Sequence, residues 1–170
     1  MDLKSFIRDI PDFPTKGIIF RDITPLLSNS DAFREAVDTL CSAVSDLDYE
    51  IIVAPEARGF ILGSAMAYKE GKGFVPVRKP GKLPYKTVSQ EYQLEYGTEI
   101  LQIHEDAIKK GQKVLIVDDV LATGGTAETL VKLVEKLGGE VVALAFLIEL
   151  SYLKPRKRLK GYRVETIIVY

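Results

Sequence analysis

The sequence predicts an α/β domain built on a doubly wound, mainly parallel sheet. Two observations lead there. Three segments are near-continuous apolar runs: Ile51–Ala54, Val114–Val117 and Val141–Leu147. Such runs fit strands covered by helices on both faces. Between them lie amphipathic patterns of helical period, and strands alternating with helices form parallel sheets.

Residues 10–29 hold three prolines, a glycine and spaced aromatics, and are expected to form an irregular ordered loop. Phe33, Val37, Leu40, Cys41, Val44 and Leu47 then recur at helical spacing, after an N-cap at Ser30 or Asp31. The stretch Arg78 to Gln90 is rich in Lys, Gly and Pro and has no period. A long polar loop inside a compact domain is uncommon unless it has a task, such as covering a site. It runs into residues 91–96, whose alternation favours a strand. Leu130, Leu133, Val134 and Leu137 mark a second helix, closed by Gly138-Gly139. The basic run Lys154 to Lys160 reads as solvated surface.

At 170 residues the chain is expected to form one domain, 1–170, with a substantial core. Lys plus Arg is 23 and Asp plus Glu is 24, so no positive excess points to nucleic acid, and any anionic ligand must be held by local devices. The single Cys41 excludes an intrachain disulfide and suits a reducing cytoplasm. No apolar run reaches the length of a membrane span, and the start MDLKSFIRDI is too charged for a secretory signal. With His104 the only histidine, a His-containing triad or multi-histidine metal site lacks raw material.

The strongest feature is Val114 to Thr126. A buried strand delivers Asp118 and Asp119, then Ala122-Thr123-Gly124-Gly125-Thr126 opens the Leu130 helix. In open α/β sheets ligands collect at the carboxyl ends of strands. Gly124 and Gly125 let backbone approach a phosphate, the helix N-terminus favours its charge, and Thr123 and Thr126 offer hydroxyl donors. Carboxylates beside a phosphate fit sugar hydroxyls, which donate to them, or a bridging magnesium ion. An acidic pair or a Gly pair alone is more often structural than functional. Together, after so apolar a strand, they point to a phosphorylated sugar. The motif is neither a P-loop nor Gly-x-Gly-x-x-Gly.

Asp118 to Thr126 resembles the phosphoribosyl pyrophosphate (PRPP) signature of type I phosphoribosyltransferases. Four further stretches resemble the adenine branch of that family and occur in its order: Asp12–Pro14 leading to Gly17–Pro25, then Glu56–Phe60, Arg78–Pro84 and Leu94–Gly97. The resemblance covers nearly the whole chain. Departures are mild: Val120 stands where leucine is common, and Pro80 lies in variable territory.

The resemblance implies a small N-terminal hood (10–29), a mobile catalytic loop with its following strand (78–96), and transfer of the phosphoribosyl group of PRPP to adenine, giving AMP and pyrophosphate. It implies that residues 122–126 hold the 5′-phosphate and that Asp118 and Asp119 hold the ribose hydroxyls. Arg58, in the turn after the first strand, and Lys82 from the loop are expected on the pyrophosphate. Phe20 and Val120 are expected to sandwich the purine, with backbone near Ile19 and Arg21 reading its edge. Asp22 adjoins Arg21, whose charge is expected to be met by a surface or ribose-phosphate contact. Glu95 is the candidate acid/base. Magnesium is expected to be held mainly by PRPP and water, with Asp118 and Asp119 as candidate protein ligands. A cytoplasmic homodimer is expected. Three other readings compete: a phosphoribosyltransferase for another base, a PRPP-sensing regulator that binds nucleic acid, and a pyrophosphokinase. The hood motif, the near-zero charge and the lack of an ATP motif argue against them in turn.

Overall fold

The computed structural model describes residues 1–94 and 96–170; Glu95, the candidate acid/base, lies outside the described residues. The chain divides into two compact units, Met1–Thr39 and Leu40–Tyr170.

In the first unit, β1 (Arg8–Pro11) pairs antiparallel with β2 (Ile19–Asp22). The expected irregular loop is therefore partly a hairpin. Its register sets Arg8 opposite Asp22 and Asp9 opposite Arg21, and directly opposed charges favour such a pairing. The turn is fixed locally: Asp12, at φ 56°, accepts the Gly17 N–H at 2.8 Å, and the Phe13 and Phe20 rings meet edge-on at 5.2 Å. The prolines sit where a missing donor costs little, Pro11 at a strand end and Pro25 in the first turn of α1 (Thr24–Ser28). Helix α2 (Ser30–Ala43) follows, running past the boundary of the unit. Its cap is Asn29, whose Oδ1 accepts the Ala32 N–H at 2.9 Å, rather than Ser30 or Asp31. The helix also stops short of Leu47. Val44 and Leu47 bond three residues back, to Cys41 and Val44, in tighter turns.

The second unit runs β3 (Ile51–Pro55), α3 (Arg58–Glu70), β4 (Gly73–Val77), β5 (Thr87–Leu94), β6 (Gly97–His104), β7 (Lys113–Leu121), α4 (Gly125–Lys136), β8 (Glu140–Glu149) and β9 (Val164–Val169). Five strands form one sheet in the order β4-β3-β7-β8-β9, and every neighbouring pair is parallel. Residues alternate between its two faces, as the pleat requires. Val53, Val75, Val77, Ile116, Leu144 and Phe146 join the core cluster that includes Leu130, Leu133 and Val134 of α4. Ile52, Ala54 and Phe74 instead lie against α3 around Gly63. Burial on both faces explains why β3, β7 and β8 read as unbroken apolar runs. β5 and β6 make a separate antiparallel ribbon, so the strand expected over 91–96 begins earlier, at Thr87.

Chain order places the site. From β3 the chain crosses through α3 to β4 on one side, and from β7 it crosses through α4 to β8 on the other. The switch point thus lies between the adjacent strands β3 and β7, where open sheets of this class leave a crevice at the carboxyl ends.

The basic run 154–160 is only partly a solvated surface. Pro155–Leu159 is a 3-10 turn that buries Pro155 and Leu159. Arg156 forks onto Glu149, with Nε 2.9 Å from Oε2 and Nη2 3.0 Å from Oε1. Those bonds hold the Glu149 carboxyl below its ordinary range despite its burial, aided by the Thr166 hydroxyl. Among the described residues no helix is long and apolar enough to cross a membrane.

Candidate active site

Strand β7 carries Asp118 and Asp119 towards its carboxyl end, three and two residues before it finishes at Leu121. Each carboxylate accepts the next backbone N–H: Asp119 N–H to Asp118 Oδ1 at 2.8 Å, and Val120 N–H to Asp119 Oδ1 at 2.9 Å. The second oxygen of Asp119 lies 2.6 Å from Arg58 Nε, as an ion pair not aligned for a hydrogen bond. Asp118 keeps part of its surface accessible but is packed deep among protein atoms. Burial, and then the charge of Asp119, push its carboxyl well above the ordinary range; Arg58 opposes this.

Arg58 is the first residue of α3 rather than part of a turn, and its side chain is 44% exposed. The next residue has to be glycine. A Cβ on Gly59 would lie 2.9 Å from both Asp118 Oδ1 and Pro55 Cδ, so its absence lets α3 start against the acidic pair.

After β7, Ala122 is half-buried and Thr123 exposed. Gly124 caps α4 at φ 92°, where a side chain is strained, and its Cβ would meet the Pro155 carbonyl oxygen at 2.8 Å. Gly125 begins α4, the Thr126 hydroxyl lies 3.4 Å from the Tyr92 hydroxyl, and Val120 is half-buried. The N-terminus of a helix of 12 residues therefore opens directly behind the acidic strand.

Lys82 is in the segment between β4 and β5, and it is tied to Glu56 with Nζ 2.7 Å from Oε2. Glu56 also accepts from Arg78 Nε at 3.1 Å and from the Lys79 N–H at 2.9 Å. Its burial raises the carboxyl, but Lys82, Lys79 and Arg78 together bring it down to about 2. At the far end of the segment, the Tyr85 N–H donates to His104 Nε2 at 3.3 Å.

The structure thus brings Arg58 to Asp119 and the start of α3 to Asp118, and it holds Lys82 on Glu56. Sequence reasoning gave no role to Glu56, although a carboxylate two residues before Arg58 and a basic run needing a counter-charge were both visible. Tyr92 was also missed, since nothing in the sequence ties it to Thr126. In the first unit, Ile19 of β2 is exposed and Phe20 is half-buried against Phe13. The charge of Arg21 is met within its own hairpin, by the half-exposed carboxylate of Asp9. The Arg21 side chain is 9% exposed and its Nη1 lies 2.8 Å from Asp9 Oδ1, while Asp22 pairs with Arg8. The hairpin register, not sequence adjacency, chose these partners. Among the described residues no cluster of three or more His, Cys, Asp or Glu side chains forms a metal site.

A parallel sheet with an acidic pair, a glycine-rich helix start and paired cations at one switch point defines a binder of phosphorylated sugars. A family model described as the phosphoribosyl transferase domain matches residues 28–169. The adenine phosphoribosyltransferase of Thermotoga sp. (strain RQ2) is 78% identical over 170 residues, covering 100% of both chains. The crystal structure of adenine phosphoribosyltransferase from Thermoanaerobacter pseudethanolicus is 54% identical with a TM-score of 0.98, covering 99% of this chain and 98% of that one. The adenine phosphoribosyltransferase of Saccharomyces cerevisiae, complexed with D-2,5-dideoxy-2,5-imino-altritol 1,6-bisphosphate and adenine, is 39% identical with a TM-score of 0.91, over 97% and 96% of the two chains. The chain belongs to the phosphoribosyl transferase family, among its adenine phosphoribosyltransferases.

Proposed function

We propose that this chain transfers the 5-phosphoribosyl group of PRPP to N9 of adenine, giving AMP and pyrophosphate, in purine salvage. The observation that carries it is the junction from Asp118 to Thr126, an acidic pair feeding a glycine-capped helix, in a chain that matches adenine phosphoribosyltransferases end to end.

The 5′-phosphate takes the N–H groups and hydroxyls of residues 122–126, whose helix dipole favours its charge. The ribose hydroxyls donate to Asp118 and Asp119. Arg58 offers a fork of donors and Lys82 a movable point charge, and both face the pyrophosphate as it leaves. The bond from C1′ to the pyrophosphate oxygen breaks, the one from N9 to C1′ forms, and the N9 proton passes to a base, the role given to Glu95. Ile19, Phe20, Arg21 and Val120 act on the purine, where unpaired polar groups reject a wrong base strongly. Catalysis is then mostly positioning and electrostatics. Closure of the segment around Lys82 excludes water from the intermediate.

Two adjacent carboxylates, Asp118 and Asp119, suit magnesium, which keeps its waters and binds through one or two carboxylates plus substrate phosphates. When bound, it neutralises charge on the pyrophosphate. A homodimer is supported by exposed apolar residues on α3, with Ile61 38% and Tyr68 92% exposed. A cytoplasmic setting is supported by Cys41, a buried free thiol. Incubation with PRPP, adenine and magnesium tests the proposal: AMP and pyrophosphate appear in equal amounts, and no AMP refutes it.

A further inference from the structure

Neither of the two cations assigned to the pyrophosphate stands alone. Arg58 is held by Asp119, a residue already given to the ribose, whereas Lys82 is held by Glu56, to which the transfer as proposed above gives no part. Glu56 directly follows β3, so a rigid parallel strand carries it to the switch point. Its side chain is 11% exposed, and both oxygens are engaged by one short stretch of chain. Oε1 accepts from Arg78 Nε and the Lys79 N–H, and Oε2 from Lys82 Nζ. The Arg78 backbone is itself fixed, exchanging N–H···O bonds of 3.0 and 2.8 Å with Gln102 of β6. One carboxylate therefore joins the end of β3 to the start of the segment that carries Lys82.

We propose that Glu56 is the positioning residue of Lys82: it holds the ammonium group and the chain leading to it at the switch point before substrate arrives, and yields the lysine to the pyrophosphate. This rests on the reading that Lys82 acts on pyrophosphate. A lysine side chain has large rotamer freedom, and restricting it beforehand lowers what must be ordered during the reaction. The carboxylate remains ionised throughout the neutral range, its carboxyl being held at about 2, so the tether is present whenever the enzyme works. Pyrophosphate carries more charge than one carboxylate and can take the lysine from it, while the Lys79 and Arg78 bonds stay in place.

The test is a double-mutant cycle of Glu56→Gln and Lys82→Ala, read by single-turnover rate at saturating PRPP and by the KM for adenine. Lys82→Ala lowers the single-turnover rate by about tenfold or more, as expected for a charge used mainly in the transition state. Glu56→Gln lowers it by about tenfold with the adenine KM changed less than about twofold, because adenine touches neither group. In the Lys82→Ala background Glu56→Gln adds less than about twofold, since a tether without its lysine does nothing. Glu56→Asp, which keeps the charge, recovers part of the rate and replaces Glu56→Gln in the cycle should that variant not fold. Full additivity of the two losses, or a normal rate in Glu56→Gln, overturns the positioning role and leaves the Lys82 reading standing. A normal rate in Lys82→Ala overturns the Lys82 reading itself, and the positioning role with it.

Discussion

Arg58 Nε lies 2.6 Å from Asp119 Oδ2, so a cation expected on the pyrophosphate and a carboxylate expected on the ribose are partners before either meets substrate. The pair joins the first residue of α3 to β7 across the switch point, and it leaves Asp118 as the carboxylate whose charge is poorly compensated. On the proposed mechanism, a substrate that brings hydroxyls to Asp119 would free Arg58 for the group leaving C1′.

Asp118→Asn is expected to stabilise the ligand-free protein while crippling PRPP use by about tenfold or more, the loss that follows when a carboxyl proposed to accept from the ribose hydroxyls becomes an amide. The sign follows from linkage. The folded carboxyl is raised, so the folded chain keeps a proton that the unfolded chain has released, and stability falls as pH climbs from the ordinary Asp value towards the folded one. The gain in Tm from Asp118→Asn is therefore larger at pH 7 than at pH 4. An equal gain at both, measured by thermal unfolding, contradicts the raised carboxyl.

Much of this was legible in the sequence because burial and chemistry coincide in it. β3, β7 and β8 are covered on both faces and read as apolar runs, and Asp118 to Thr126 stood out because two carboxylates and two glycines ended such a run. Pairing was not legible. The β1–β2 hairpin was hidden by its prolines, and its ion pairs, Arg8 with Asp22 and Asp9 with Arg21, follow from register rather than adjacency. The Glu56–Lys82 contact joins positions 26 residues apart through a segment without periodicity. Asn29 was passed over as a cap because it also closes α1, and one residue serves both helices.

Gly124→Ala is expected to cost about 1–3 kcal/mol, since a side chain is strained at positive φ and must also displace neighbouring atoms. The neighbour here is backbone, the Pro155 carbonyl oxygen at 2.8 Å, which cannot rotate away. The same shift moves the N–H groups at the start of α4, so the KM for PRPP rises while the variant remains folded. Chemical denaturation gives the first quantity and initial rates the second. An unchanged KM for PRPP separates this loop from phosphate binding.

Arg156→Ala is expected to destabilise by about 2 kcal/mol, because it strands a buried carboxylate rather than merely removing a surface charge. Glu149 is 7% exposed, so its stranded charge has little access to water. The Glu149 carboxyl is depressed in the folded protein, so its contribution is complete above the ordinary Glu value and is lost as pH falls through the folded value. The stability gap between parent and variant therefore narrows in acid. A gap independent of pH shows that packing of the arginine stem, not the ion pair, is what Arg156 supplies.

The most direct measurement is a competition between adenine, guanine, hypoxanthine and xanthine at equal concentration, with limiting PRPP and magnesium. Adenine phosphoribosyl transfer predicts AMP as the dominant product, by at least ~100-fold in kcat/KM, the scale reached when a wrong base leaves buried polar groups unpaired. An Arg21 guanidinium turned onto the base would donate to a 6-oxo group and invert that order, but it is engaged by Asp9 at 2.8 Å. Comparable yields of the guanine or hypoxanthine nucleotide contradict the adenine assignment and leave phosphoribosyl transfer standing, whereas no nucleotide from any base contradicts both.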